Sequence, residues 1–190
     1  MTSQPTNGPP TMSAHRRRVV TTPLGPLELV AGPSGLRAVL WPGEDGSRVP
    51  RAVGGSAQPT DPDRVGDEAG AAAELHLDAA QAQLAEYFAG TRREFDLVLD
   101  AAGTNFQLRV WNVLRSIPYG ATISYGAQAT ALGEPGAARA VGAANGRNPL
   151  SIVVPCHRVV SSSGGLTGFA GGLDTKAWLL EHERTVLAGA

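Results

Sequence analysis

Cysteine is almost missing from this 190-residue chain: Cys156 stands alone. A single thiol excludes an internal disulfide and any zinc site built on clustered cysteines, and it fits a protein kept in a reducing cytoplasm. The four histidines, at 15, 76, 157 and 182, show no ligand spacing, so neither a metal nor another cofactor is expected. Lysine is as scarce. Lys176 is the only one beside fifteen arginines, a bias that together with the abundant alanine and glycine reads as genomic composition rather than function. No apolar run approaches the ~20 residues that span a bilayer, so no membrane partner is expected. Residues 1–15 lack an apolar stretch and are rich in Pro, Ser, Thr and Gly, which reads as a disordered tail rather than a signal peptide.

What is present fits a globular protein. An apolar content of 42% supports one core, or two small ones sharing an interface. The net charge of −1 hides a division. Residues 41–100 carry twelve acids and five bases, whereas 101–172 carry five arginines against Glu134 alone. Attraction to phosphate depends on which face presents the charge, so the second half is the candidate for an anionic partner; one acidic helix beside a neutral domain would give the same split.

The fold class expected is α+β. Residues 16–100 form an N-terminal unit with strands at 18–22, 27–31 and 36–41, a mobile loop over 42–68, a helix over 71–88 carried by Leu75, Leu77, Leu84 and Phe88, and an alternating strand at 95–99. This half offers no chemistry of its own and is expected to steady the other. Residues 101–190 are mostly helical, with helices at 105–116, 125–132 and 135–145. The last two, separated by Gly133-Glu134, have helix-turn-helix spacing. The second of them is unusually poor in side chain: Ala138, Ala140 and Gly142 surround Arg139, its one long residue. Close helix packing and close approach to a nucleic-acid groove would both favour that composition.

Pro155-Cys156-His157-Arg158-Val159, entered by the apolar Ser151-Ile152-Val153-Val154, is the chemical centre of the sequence. A free cysteine is commonly an inert buried hydrophobe, but one followed by histidine has a nearby base that could generate the thiolate. On an extended strand the two side chains would point to opposite faces, which argues against a direct thiol–imidazole pair of the cysteine-hydrolase type. Lys176, Leu179 and Glu183 fall on one face of a C-terminal helix. If Leu179 is buried, so is Glu183, and a buried carboxylate needs a partner such as His157.

The pentapeptide resembles the active-site segment of the O6-alkylguanine-DNA alkyltransferases. Further blocks follow that family's pattern in order: Phe106-Gln107-Leu108-Arg109-Val110-Trp111, Ile117-Pro118-Tyr119-Gly120, Ser124-Tyr125-Gly126, Ala138-Arg139-Ala140-Val141-Gly142, Asn148-Pro149, Gly168-Phe169 and the helix through Glu183. The resemblance implies a ribonuclease-H-like N-terminal unit and a DNA-binding unit at 101–190 carrying the cysteine. It implies that Cys156, activated by His157 and Glu183, takes the alkyl group from O6-alkylguanine in double-stranded DNA irreversibly, with O4-alkylthymine a further candidate substrate. Tyr125, Asn148, Val159, Phe169 and Ala170 would form the base site, and Arg139, Ala138, Ala140 and Gly142 the DNA contact. The family often has Tyr and Ser where Phe169 and Ala170 stand, so only backbone contacts carry over there. The expected state is a monomer, acting singly or cooperatively along DNA. The alternatives are a damage-binding relative without repair activity and a cysteine hydrolase or transferase of small molecules.

Overall fold

The computed structural model describes residues 15–44, 46–53 and 68–189. The tail expected over 1–15 lies outside the described residues except for His15, as does the loop expected over 42–68 at 45 and 54–67. Strands β1 (Arg16–Thr22), β2 (Gly25–Gly32) and β3 (Gly35–Leu40) form an antiparallel sheet in that order. The β1–β2 hairpin turns through Gly25, whose φ of 96° a side chain would tolerate poorly.

Both faces of this sheet are covered. Leu27, Leu29, Ala31, Leu36, Val39 and Trp41 join the main core, while Val30, Ala38 and Leu40 face Val49 and Ala52. The break in alternation along β3 coincides with a register shift opposite Val30 and Ala31, a bulge at which Ala31 pairs with Leu36 and Val30 with Ala38. Val49 precedes, and Ala52 belongs to, a four-residue helix, α1 (Pro50–Val53). Part of the segment expected as a mobile loop is therefore docked. Its two apolar residues, three apart, cover the outer sheet face.

Helix α2 (Glu68–Phe88) lies on the inner face and buries Ala73, Leu77, Ala80, Leu84 and Tyr87 at alternating intervals of three and four. Leu75, expected on this stripe, is exposed, because alanines rather than leucines fill half of the apolar face. Residues 95–99 do not form the expected strand. They make a single parallel bridge, Leu36 to Leu99, with Leu36 N donating to the Val98 carbonyl at 2.9 Å.

The second half is built of α3 (Asn105–Arg115), α4 (Tyr125–Ala131), α5 (Ala138–Asn145) and α6 (Leu173–Ala188), with a two-residue parallel pairing of β4 (Ile123–Ser124) and β5 (Val159–Val160). Thr104 and Gln107 form a reciprocal capping box at the start of α3, and Ser124 caps α4. Helix α5 starts three residues later than expected because Pro135 and Gly136 stay in the turn, closed by Ala137 N to the Glu134 carbonyl. Among the described residues no helix is long and apolar enough to cross a membrane.

Polar groups tie α3, α4 and α5 together inside an apolar setting. Asn145 Nδ2 donates to Gln128 Oε1 at 2.7 Å, Gln128 Nε2 donates to the Val110 carbonyl at 3.2 Å, and Trp111 Nε1 donates to the Ala144 carbonyl at 2.9 Å. Gln128→Ala strands the buried Asn145 amide, which loses both of its bonds to Gln128. It should destabilise the protein by about 1–3 kcal/mol, read as a lower urea midpoint at unchanged slope.

Candidate active site

The segment that delivers Cys156 is a chain of tight turns, not the strand expected from its apolar run. Val153 N donates to the Ser151 carbonyl around Ile152, whose φ is 73°. A three-residue turn of this hand is rare, and a β-branched residue in it is strained by about 1–3 kcal/mol. A second such turn, of the relaxed hand, follows at Pro155 (φ −81°, ψ 65°), closed by Cys156 N to the Val154 carbonyl. Cys156 then opens a 3-10 turn, Cys156–Arg158.

Asn148 holds this path in place. Its Nδ2 donates to the Val154 carbonyl at 2.7 Å and its Oδ1 accepts from Leu150 N at 3.0 Å, bracketing the strained turn. Asn148 N in turn donates to the Asn145 carbonyl at the end of α5. From the other half, Val39 N donates to the Pro149 carbonyl, Val39 bridges Leu150, and Arg48 Nη1 donates to the Asn148 carbonyl at 2.7 Å.

Glu183, on α6, is fully buried and accepts from five donor atoms. These are His157 Nε2 (2.9 Å), Arg158 Nε and Nη2 (3.0 and 2.9 Å), Tyr87 Oη (2.9 Å) and the Gly120 amide (2.8 Å). Burial alone would push this carboxyl up; the hydrogen bonds and charge of His157 and Arg158 outweigh it and hold the group down at about 2, from 4.5. An ionised carboxylate can only accept, so His157 Nε2 carries a proton. Burial lowers the His157 pKa, incompletely offset by Glu183, so the ring is neutral near pH 7. Nδ1 is therefore the bare nitrogen. It is buried and has no protein partner. The imidazole is thus poised as a base at one defined atom.

Cys156 is 7% exposed. Burial raises its pKa, against the opposing pull of a hydrogen bond from Asn148 and the charges of Lys176 and Arg48. The resting group is a thiol, and the thiolate must be made in the reaction. Lys176, the chain's only lysine, is buried with its ammonium donating to the carbonyls of Val159 (2.6 Å) and Thr167 (2.8 Å) and lying 5.9 Å from the Tyr125 ring centre. Burial lowers its pKa, and the neighbouring Cys156 raises it.

The structure brings Cys156, His157, Glu183, Asn148 and Val159 together in the buried interior. Tyr125 Oη donates to the Thr167 carbonyl at 3.1 Å, beside the Phe169 loop. Phe169 stands edge-on to His157, with ring centres 6.4 Å apart, while Ala170 is exposed in the following turn. Arg139 and Ala140 are exposed on α5, with Ala138 half-buried, and Gly142 lies against Tyr125 close enough that an added Cβ would touch its ring at 3.7 Å. Arg158 is buried on Glu183 and not turned to solvent. Sequence reasoning missed Tyr87 and the Gly120 amide as donors to Glu183, and the two carbonyls that hold the Lys176 ammonium. The first half does reach the site, through Tyr87, Val39 and Arg48, against the expectation that it carries no chemistry.

Comparison with known proteins agrees on one family. Residues 105–185 match the family model described as 6-O-methylguanine DNA methyltransferase, DNA binding domain. The methylated-DNA–protein-cysteine methyltransferase of Mycolicibacterium paratuberculosis is 62% identical over 102 residues, which is 54% of this chain and 62% of that protein's length. That of Shigella flexneri is 44% identical over 170 residues, 88% of this chain and 95% of the relative. Among solved structures, Mycobacterium tuberculosis OGT in complex with DNA is 43% identical with a TM-score of 0.75, covering 90% of this chain and 94% of that one.

Glu183→Gln removes the charge that pairs with Arg158. Breaking a buried pair in this way should cost about 3–5 kcal/mol in denaturant unfolding. The pH dependence has a defined sign. Glu183 has a depressed pKa in the folded state, so its contribution is complete above about 4.5 and is lost as pH falls toward about 2. The wild type should lose stability across that window, and the variant should show a flatter acid limb.

Proposed function

The chain belongs to the methylated-DNA–protein-cysteine methyltransferase family, and we propose that it repairs O6-alkylguanine in double-stranded DNA by moving the alkyl group irreversibly onto Cys156. The observation that carries this reading is the neutral His157 with its proton fixed on Nε2, which leaves a buried Nδ1 without a protein partner as a base on the residue that follows the buried thiol in the chain. The thiol proton passes to Nδ1, directly or through a water. The sulfur attacks the alkyl carbon in line, the carbon–O6 bond breaks with its electron pair on O6, and the guanine takes up a proton. Lys176 and Asn148 stabilise negative charge on sulfur as it forms. A thioether is not reversed by thiol exchange, and no second cysteine exists to resolve it, so each molecule acts once.

O6 faces the pairing partner inside a duplex, so the base must leave the stack at a cost of a few kcal/mol. In this proposal α5 lies in the minor groove. Ala138, Ala140 and Gly142 allow close approach, and the exposed Arg139 fills the gap left by the extruded nucleotide. Tyr125, Val159, Phe169 and the backbone of Ala170 form the pocket. The division that accompanies this reading is an α+β unit over 16–100, ribonuclease-H-like, and a DNA-binding transferase unit over 101–190, acting as a monomer in the cytoplasm. A three-stranded antiparallel sheet on one long helix supports the first part.

Incubation with a duplex containing O6-methylguanine should add one methyl group per chain, mapped to Cys156 by intact-mass and peptide analysis. Cys156→Ser should abolish it while DNA binding persists. Turnover beyond one methyl per chain would refute the suicide reaction.

Arg139→Ala should slow the duplex reaction about five- to a hundredfold, the scale of stacking and phosphate contacts. Reaction with free O6-alkylguanine, which requires no extrusion, should change little. An equal loss on both substrates would remove Arg139 from the flipping step.

A further inference from the structure

Trp41 follows directly on β3 and is 5% exposed. Two residues earlier, Val39 is hydrogen-bonded to the segment that enters Cys156. One stretch of the N-terminal half therefore meets the site at two points, the cysteine segment through its backbone and the Phe169 loop through an indole. The indole meets the Phe169 ring edge-on, with centres 5.4 Å apart and planes at 64°. Phe169 in turn stands edge-on to His157. The three rings run in series, with Phe169 in the middle.

The far side of the same loop is pressed onto the same ring. A Cβ added at Gly171 would lie 2.6 Å from Trp41 Cδ2 and 2.8 Å from Cε2. Both atoms belong to the rigid indole fusion and cannot swing aside. Gly172 N donates back to the Phe169 carbonyl at 3.1 Å, so residues 169–172 form one turn wrapped on Trp41. Phe169 has no hydroxyl with which to tether its ring. Its orientation depends on packing, and Trp41 supplies the aromatic face of that packing. The indole N–H is buried without a protein partner, so packing and not hydrogen bonding holds Trp41 in turn.

We propose that Trp41 is a positioning residue for the base pocket: it fixes the Phe169 wall, and through that wall sets how tightly the extruded or free alkylated guanine is held. This rests on the alkyl-transfer reading above and adds to it a specific contribution from the N-terminal half. Trp41 meets the Phe169 ring, and Phe169 stands between it and His157, so it should act on occupancy of the pocket and leave the bond-making step alone.

The test is single-turnover alkylation of Cys156 by free O6-benzylguanine, followed by intact mass over a range of ligand concentration. Trp41→Leu should raise the half-saturating concentration about three- to tenfold, the scale of aromatic edge contacts, at an unchanged limiting rate. Gly171→Ala, which keeps Trp41 but pushes the 169–172 turn off its indole, should shift the same constant in the same direction. It also decides the matter if Trp41→Leu does not fold. A merely structural role would lower the fraction of chains that can be labelled without moving half-saturation in the remainder. That result, or an unmoved half-saturation at full labelling, would overturn the proposal. If the wild type is labelled neither by the free base nor by an O6-methylguanine duplex, the alkyl-transfer reading itself fails, and this proposal with it.

Discussion

The site depends on a carboxylate that has been taken out of water. Glu183 sits at the meeting point of α2, the 117–120 turn, the 3-10 turn and α6, and each of the first three supplies at least one donor to it. Burying an ion without partners is prohibitive, so the fold and the charge hold each other in place. If the turn at Gly120 moves, an acceptor is left bare; if α2 moves, Tyr87 loses the group that satisfies its hydroxyl. The ionised state also dictates which imidazole nitrogen bears hydrogen. A structural requirement, satisfaction of a buried anion, thereby becomes a chemical one.

A second constraint acts on the cysteine itself. Ile152 adopts a backbone conformation that its branched side chain disfavours, four residues before Cys156. The strain is contained by bonds that arrive from both sides of the molecule: the side chain of Asn148, anchored to α5, and the backbone of Val39 on β3. The helix proposed to touch DNA and the segment that carries the thiol are therefore joined by one short rigid link. Movement at one end has few soft degrees of freedom in which to dissipate before it reaches the other.

Much of this was legible in the sequence, for identifiable reasons. The spacing of Lys176, Leu179 and Glu183 correctly placed all three on a buried face, and the need of a buried carboxylate for a partner pointed to His157. The four main helices of the second half were visible from residue periodicity and the Gly and Pro breaks between them, although only α3 and α4 carry side-chain caps. Local pattern failed where long-range contacts decide. Val-Val before Pro155 has strand propensity, but side-chain clamps from Asn148 impose turns instead. The stripe on α2 was misread because alanine carries little hydrophobic signal and yet packs fully. Nothing in the local pattern singled out Tyr87. Only the fold shows that its hydroxyl reaches across 96 residues to Glu183.

Lys176 has a consequence outside the reaction. It is the sole source of an ε-amine in the chain, and its ammonium is enclosed and committed to two carbonyls. On the alkyl-transfer reading proposed above, each molecule is used once and must be cleared, and tagging systems that form isopeptide bonds need an exposed lysine. This surface presents arginine where such an acceptor would be. Disposal of the spent molecule by lysine ligation would first require α6 to open and release Lys176, so the same residue that braces the pocket would become available only once the pocket had come apart.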